Sequence, residues 1–185
     1  NGIGIISGCG RGISGLSSKD RQDIFSSKVN DDTLKDKIFS KDARRSDRFA
    51  RMAVLAAIDA IASSGINVET EKGNIGIILA SAFGPHSTTF RFLDDILAYK
   101  EPDVSPILFS HSVHNAAASY ISSLTGIRGP TLTVTRFSGA FDQALILAES
   151  WLKEKRMRYV LVGGVEEHSA IMDYIVKPGD GADLG

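Results

Sequence analysis

Two short apolar runs that end in glycine constrain the fold of this chain more than any other feature. Gly2 to Gly8 reads GIGIISG, and Asn74 to Gly84 reads NIGIILASAFG. A continuous Ile-rich run of this length is typical of a strand buried on both faces, as the central strands of parallel sheets are. We therefore expect two central strands, which the helix predicted between them would join as a βαβ unit.

Helical patterns occupy much of the chain between the strands. Three segments have helical spacing of apolar or alanine positions: Ser46 to Gly65, Thr88 to Ala98, and Ser112 to Gly126. The first begins with a capping serine and an acid and stops at glycine. Pro102 and Pro106 are expected to break the chain between the second and third. Arg11 to Lys41 is interpreted as a surface excursion with one short helix around Asp20 to Phe25.

The remaining chain supplies two more strands with a helix between them. Thr131 to Phe137 reads TLTVTRF, a helical pattern begins near Ala140, and RYVLVGGVEE runs from Arg158 to Glu167. Strands that alternate with helices predict a mostly parallel sheet covered by helices, which is an α/β fold. With 185 residues and about 43% apolar side chains, the chain fits one domain, residues 1–185.

Charge and composition argue against several classes of protein. The formal net charge is −1 and the pI is near 6.5, so no strong field attracts nucleic acid or an anionic membrane. The single cysteine, Cys9, cannot form an intramolecular disulfide, which fits a reducing cytoplasm. No apolar run approaches the roughly 18 residues of a membrane span, and the N-terminus lacks a signal-peptide pattern. We expect a soluble cytoplasmic protein that binds neither nucleic acid nor membrane.

Gly10, Gly12 and Gly15 have the GxGxxG spacing of a dinucleotide-binding turn. Such a turn opens directly into an apolar helix whose N-terminus holds the pyrophosphate. Here the polar segment ISGLSSKDRQD follows instead. The sequence favours a tight turn after the first strand and no nucleotide cofactor. A nucleotide-binding oxidoreductase is a distant alternative, which titration with NAD would test.

The sharp corner from Arg136 to Ala140 is the main candidate site. Ser138 lies where a strand turns into a helix, next to unpaired backbone N–H groups and the positive end of the helix dipole. Two interpretations remain open: a nucleophile, or an N-cap that accepts a hydrogen bond from a free N–H. The segment from Arg136 to Ala140 lacks the first glycine of the GxSxG pattern that α/β-hydrolases have around their nucleophilic serine. A serine nucleophile would also need a base, for which the sequence offers four histidines: His86, His111, His114 and His168.

Other polar residues support weaker hypotheses. His111 and His114 have a spacing that could suit a metal, but no carboxylate or cysteine at matching spacing completes the ligand set, and we expect no metal site. Glu166 and Glu167 follow the last strand, either as paired carboxylates for acid–base chemistry or as an anchor for a neighbouring turn. Cys9 is interpreted as a small buried filler.

Several motifs, in this order and spacing, resemble a known family. They are Ser7-Gly8-Cys9-Gly10, Asp47-Arg48-Phe49-Ala50, Asn74-Ile75-Gly76-Ile77, Asn115-Ala116-Ala117-Ala118, Gly126-Ile127-Arg128-Gly129-Pro130, Gly163-Gly164 with Glu166 and Glu167, and Gly181-Ala182-Asp183-Leu184-Gly185. The chain resembles the N-terminal half of the β-ketoacyl synthases, which have the thiolase fold. The resemblance implies a mostly parallel mixed sheet between helix layers.

The resemblance also implies a role for Ser138. Counting from Gly129-Pro130 places Ser138 at the position of the family's nucleophilic cysteine. In active members that thiolate accepts an acyl chain from an acyl carrier protein or coenzyme A and condenses it with a malonyl unit. A serine hydroxyl is far less acidic, so this replacement puts condensation in doubt. The family's two histidines and its lysine belong to the second half, no residue here matches them, and we expect the chain to be a fragment.

The resemblance therefore indicates a relative similar to the chain-length factors of polyketide and aryl-polyene pathways. Such proteins lack the active cysteine and pair with a catalytic ketosynthase. The resemblance implies that Thr131 to Phe137 is a dimer-interface strand, in a homodimer or in a heterodimer with a ketosynthase, and that acyl carrier protein or an acyl-CoA thioester is a partner. An acyltransferase or hydrolase that uses Ser138 is the alternative, and the sequence leaves open whether the protein is an enzyme.

Overall fold

The computed structural model of this chain describes residues 1–13, 28–39, 43–99, 105–169 and 172. The short helix predicted around Asp20 to Phe25 lies outside those residues. The strands are β1 Ile6–Ser7, β2 Gly10–Arg11, β3 Ile75–Ser81, β4 Thr131–Thr135 and β5 Tyr159–Gly164. The helices are α1 Arg48–Ser64, α2 Val68–Glu71, α3 His86–Tyr99, α4 Pro106–Ser112, α5 Ala116–Thr125 and α6 Ala140–Lys153, with 3₁₀ turns at Asp31–Leu34 and Lys37–Phe39.

A three-stranded parallel sheet in the order β4-β3-β5 forms the centre of the described structure. All of β3 is buried, as the Ile-rich run predicted. In register, Ser81 at the end of β3 lies beside Thr135 of β4, and Ala80 lies beside Gly164 of β5. The carboxyl ends of the three strands therefore meet at one edge of the sheet. The prediction of a parallel sheet in an α/β fold is confirmed.

Helices cover both faces of this sheet. Successive side chains of β3 point to opposite faces, so the strand contributes to a core on each side. Ile75, Ile77 and Leu79 belong to a core with residues of α1 and α5. Ile78 and Ala80 point the other way and pack with Ala144 and Ala148 of α6. The buried alanines on α5 and α6 let these helices pack closely against their neighbours in the two cores.

The predicted central strand at Gly2 to Gly8 is wrong. In this run only Ile6–Ser7 forms a strand, and it pairs antiparallel with β2 across a turn at Gly8 and Cys9. Gly2 and Gly4 lie directly against the backbone of α1, where a Cβ would collide with carbonyl oxygens of Ala60 and Ala56. The two glycines therefore allow the chain to lie close to α1, and they do not mark a buried strand. The tight turn expected near the GxGxxG motif is present; Gly15 lies outside the described residues.

Two helix boundaries differ from the sequence prediction for identifiable reasons. Asp47, not Ser46, is the N-cap of α1, since its carboxylate accepts the Ala50 N–H at 2.8 Å. Pro106 begins a new helix, since it occupies the first turn of α4 behind the N-cap Ser105. Proline is favoured there because the first N–H groups of a helix lack a partner in any case. Pro102 lies outside the described residues. Gly65 and Gly126 end α1 and α5 in the left-handed conformation, as predicted.

Across the described ranges, every helix is too short or too polar to cross a membrane.

Candidate functional site

Ser138 lies at the corner where β4 leaves the sheet and α6 begins. The backbone N–H of Arg136 still donates to the Ser81 carbonyl, at 3.4 Å, and the chain then turns away from β3. Gly139 is the N-cap of α6 and has a φ of 68°, in the left-handed region that favours glycine. The tight corner read from the sequence is thus confirmed, and a glycine makes it possible.

The side chain of Ser138 is exposed and does not cap the helix. Gly139 holds the N-cap position, and no side-chain hydrogen bond caps α6. Within the described ranges, no hydrogen bond to the Ser138 hydroxyl is formed. The N-cap interpretation of Ser138 is therefore wrong, while the nucleophile role remains a prediction.

The helix terminus next to Ser138 already carries a negative charge. Asp142 lies in the first turn of α6. One of its carboxylate oxygens is 3.8 Å from the position that a Cβ on Gly139 would take, which is an ordinary van der Waals distance. An acid in the first turn is favourable because it faces the positive end of the helix dipole. The same charge disfavours a second anion at Ser138. The corner is consequently less suited to an ionised nucleophile than a helix N-terminus without an acid.

Three of the four histidines proposed as a base, His86, His111 and His114, have neighbours other than Ser138. His86 Nε2 is 2.8 Å from Ser169 Oγ, and His111 Nε2 is 2.7 Å from the hydroxyl of Tyr120. The ring of His114 packs beside Gly84. Burial raises the pKa of Tyr120, so this hydroxyl stays protonated beside His111. In the part of the chain that the structure describes, no histidine forms a hydrogen bond with Ser138.

A cleft of about 390 Å³ opens beside the corner, at the carboxyl edge of the sheet. Its lining comes from the ends of β3 and β5 and from the first turn of α6: Ala80, Ser81, Ala82, Arg136, Phe137, Gly139, Ala140, Phe141, Asp142, Gly164, Val165 and Glu166. Its volume is within the range of small-molecule sites. Phe137, 85% exposed, packs on Phe83 with ring centroids 5.6 Å apart. Phe137, Phe141 and Arg136 thus border the cleft, whereas Ser138 does not line it.

The two acids after β5 anchor the turn between β3 and α3. Glu166 accepts hydrogen bonds from the backbone N–H groups of Ala82 and Phe83. Glu167 accepts the N–H of Ser87 at 2.8 Å, in the first turn of α3, and is itself buried. Burial raises the pKa of the Glu167 carboxyl group. The anchor interpretation fits these contacts, and the two carboxylates are not paired with each other.

The sequence did not reveal that His86, Glu167 and Ser169 lie together. His86 Nδ1 is 3.8 Å from the nearer carboxylate oxygen of Glu167, on the other side of the ring from Ser169. About 80 residues separate His86 from the other two, so no local motif signals the group. The His111–His114 spacing, considered above for a metal, gains no further ligand: among the described residues, no three His, Cys, Asp or Glu side chains are placed to hold a metal ion.

Comparison with protein families gives a match over most of the chain. Residues 11–176 match the model of the β-ketoacyl synthase N-terminal domain. A curated relative is the 3-oxoacyl-[acyl-carrier-protein] synthase 2 of Vibrio cholerae serotype O1, which is 28% identical over 96 residues. That alignment covers 51% of this chain and 23% of the relative, so the chain spans well under half the length of the relative.

Solved structures share the fold. The ishigamide ketosynthase/chain length factor superposes with a TM-score of 0.77 at 19% identity, covering 100% of this chain and 56% of the other. A type II PKS acyl-carrier protein in complex with its ketosynthase bound to the hexaketide superposes with a TM-score of 0.81 at 19% identity, covering 97% and 53%. At this level of identity the likeness shows the fold, which confirms the thiolase-like architecture expected from the resemblance.

Proposed function

Because the chain belongs to the β-ketoacyl synthase family as its N-terminal domain, we propose that it acts in fatty acid or polyketide synthesis, of the aryl-polyene type, as a non-condensing partner subunit. In this role it resembles a chain-length factor: it pairs with a catalytic ketosynthase and does not itself form the carbon–carbon bond. The ketosynthase/chain length factor among its structural neighbours is consistent with this proposal.

The observation that carries the proposal is the state of Ser138. The resemblance implies that Ser138 falls at the position of the family's nucleophilic cysteine. The Ser138 side chain is exposed, and its hydroxyl forms no hydrogen bond in the described ranges. Serine nucleophiles need a base within hydrogen-bond reach. Asp142 further disfavours a negative charge at this helix terminus. An acyl transfer to Ser138 is therefore not expected.

Three partners follow from this proposal. An acyl carrier protein, or an acyl-CoA thioester, delivers the acyl chain near the cleft beside the corner. A ketosynthase, or a second copy of this chain, pairs with the edge strand β4. We expect these encounters in the cytoplasm, where such carriers are found.

The test is peptide-level mass spectrometry after incubation with acetyl-CoA, malonyl-CoA and acylated acyl carrier protein. We expect no acyl adduct on the peptide that contains Ser138 in the wild-type protein. Ser138→Cys is the positive control, because a thiol at this helix terminus is a better nucleophile. Ser138→Ala is the blank for the same peptide.

An adduct on Ser138 that disappears in Ser138→Ala would overturn the proposal. It would favour the alternative, an acyltransferase or hydrolase with Ser138 as nucleophile. The base would then have to come from residues outside the described ranges or from a partner.

A further inference from the structure

The cluster of Ser169, His86 and Glu167 lies away from the Ser138 corner, at the junction of the β5 end and the α3 start. His86 is the first residue of α3, a helix of 14 residues, and Ser169 and Glu167 follow β5. His86 and Glu167 are each 6% exposed, and Ser169 is half-buried. None of the three takes part in the proposed partner function, so the inference does not rest on it.

The hydrogen bonds of His86 fix its tautomer. Nδ1 is 3.3 Å from the Gly84 carbonyl oxygen, which can only accept, so Nδ1 carries the proton of the neutral ring. The lone pair of Nε2 then faces Ser169 Oγ at 2.8 Å, and the hydroxyl donates to it. A serine that donates to a neutral imidazole is the arrangement in which histidine takes the serine proton during attack.

Glu167 supplies the third element. Its Oε1 lies 3.8 Å from His86 Nδ1, too far for a hydrogen bond but near enough for a strong charge interaction in a buried setting. The carboxylate is held in place by the N–H of Ser87. Burial raises the pKa of Glu167, and Asp47 adds to this, whereas a positive charge on His86 lowers it. When His86 accepts a proton, its positive charge therefore favours the ionised form of Glu167. The carboxylate in turn stabilises the imidazolium.

We propose that Ser169, His86 and Glu167 form an acyl-accepting site away from the Ser138 corner, in which Ser169 is a nucleophile toward acyl thioesters or other activated acyl esters. Ser169 Oγ attacks the acyl carbonyl carbon, and its proton moves to His86 Nε2. The C–S or C–O bond breaks, and the leaving thiolate or alkoxide takes that proton. Water then attacks the acyl-serine ester with His86 as base, and the proton returns to Ser169 Oγ as the carboxylic acid leaves.

A serine-reactive fluorophosphonate provides the test, because it phosphonylates an activated serine with loss of fluoride and leaves an unactivated surface serine unlabelled. The full chain is labelled, digested and analysed by mass spectrometry to locate the adduct. We expect the adduct on Ser169, retained in Ser138→Ala and absent in Ser169→Ala. In His86→Gln, the labelling rate should fall by about 10²-fold or more, the range typical of lost general-base catalysis.

Glu167→Gln separates a chemical role from a structural one. The amide oxygen can still accept the Ser87 N–H, so the turn stays anchored, but the charge near His86 is lost. We expect labelling at Ser169 to slow by about 10-fold or more while circular dichroism and the thermal unfolding midpoint show a folded chain. Ser169→Thr, which keeps a hydroxyl, controls for local packing.

Two outcomes overturn the inference: no labelling of the folded wild-type chain under conditions that label a reference serine hydrolase, or an unchanged rate in folded His86→Gln. Labelling confined to Ser138 also overturns it and contradicts the proposed partner function at the same time. An adduct on Ser169 alone leaves the partner proposal intact, so the two failures are distinguishable.

Discussion

Glu167 is a buried carboxyl group, and burial raises its pKa above the ordinary value of 4.5. The stability that this group contributes is fully present below about pH 4.5 and is lost as pH rises through the raised folded pKa. His86 and Asp47 both face this carboxyl group, and they shift its pKa in opposite directions.

We therefore predict that Glu167→Gln becomes more stable relative to the wild type as pH rises from 4 to 8. Glutamine stays neutral at every pH and keeps an acceptor for the Ser87 N–H. Urea unfolding at a series of pH values measures the difference in the free energy of unfolding. Glu149→Gln is the control, because Glu149 pairs with Lys153 on the exposed side of α6. A difference that is flat with pH, or that shrinks as pH rises, would contradict the prediction.

At the scale of elements, the packing of α6 on the sheet depends on a glycine in the central strand. A Cβ on Gly76 would lie 2.7 Å from Trp151 Cζ3 and 3.1 Å from Met157 Cγ. Trp151 is on α6 and packs with the β3 core residues on that face of the sheet. Either the indole or the helix must move to admit a methyl group there.

We predict that Gly76→Ala destabilises the chain by about 1–3 kcal/mol, the usual effect of overpacking a core. Gly163→Ala is a matched control, because it is also a strand glycine and nothing lies within 4 Å of its Cβ position. Its effect on the free energy of unfolding should be close to zero. Chemical denaturation of both variants gives the comparison, and equal destabilisation by both would show that the Trp151 contact is not the cause.

The helices and strands show which structural features can be predicted from local sequence and which depend on tertiary contacts. β3 and α5 were predictable because burial on both faces and a terminal glycine leave local signals, at Ile75–Ser81 and at Gly126. Gly2 to Gly8 has the same local signal as β3, but whether such a run enters a sheet or lies on a helix depends on tertiary contacts. The corner at Ser138 was predictable from adjacent elements. The group of His86, Glu167 and Ser169 was not, because only the fold joins its parts.

At the scale of the whole molecule, β4 is the edge of the described sheet. It pairs with β3 on one side, and the opposite side of the strand has no partner within the described residues. Its five residues, TLTVT, include no charge and no proline, the usual protections of an exposed edge. Leu132 is 38% exposed on this strand. An unprotected edge of this kind is suited to pairing with a second chain.

We predict that the protein self-associates through β4 when no ketosynthase is present, and that Leu132→Lys shifts it toward the monomer. A lysine at an edge strand opposes pairing because its ammonium would have to leave water in the interface. Ile3→Lys is the matched control: Ile3 is an exposed isoleucine, and its backbone N–H binds Ser63 near the end of α1.

Sedimentation velocity over a range of concentrations measures the association of the three proteins. The wild type and Ile3→Lys should dissociate at the same concentration, and Leu132→Lys at a concentration at least about 10-fold higher, which corresponds to about 1.4 kcal/mol. A wild type that stays monomeric at every concentration would contradict the prediction of self-association through β4. A dimer equally stable in Leu132→Lys would place the self-association interface on another surface, because a charge at the centre of the paired edge cannot be neutral to pairing.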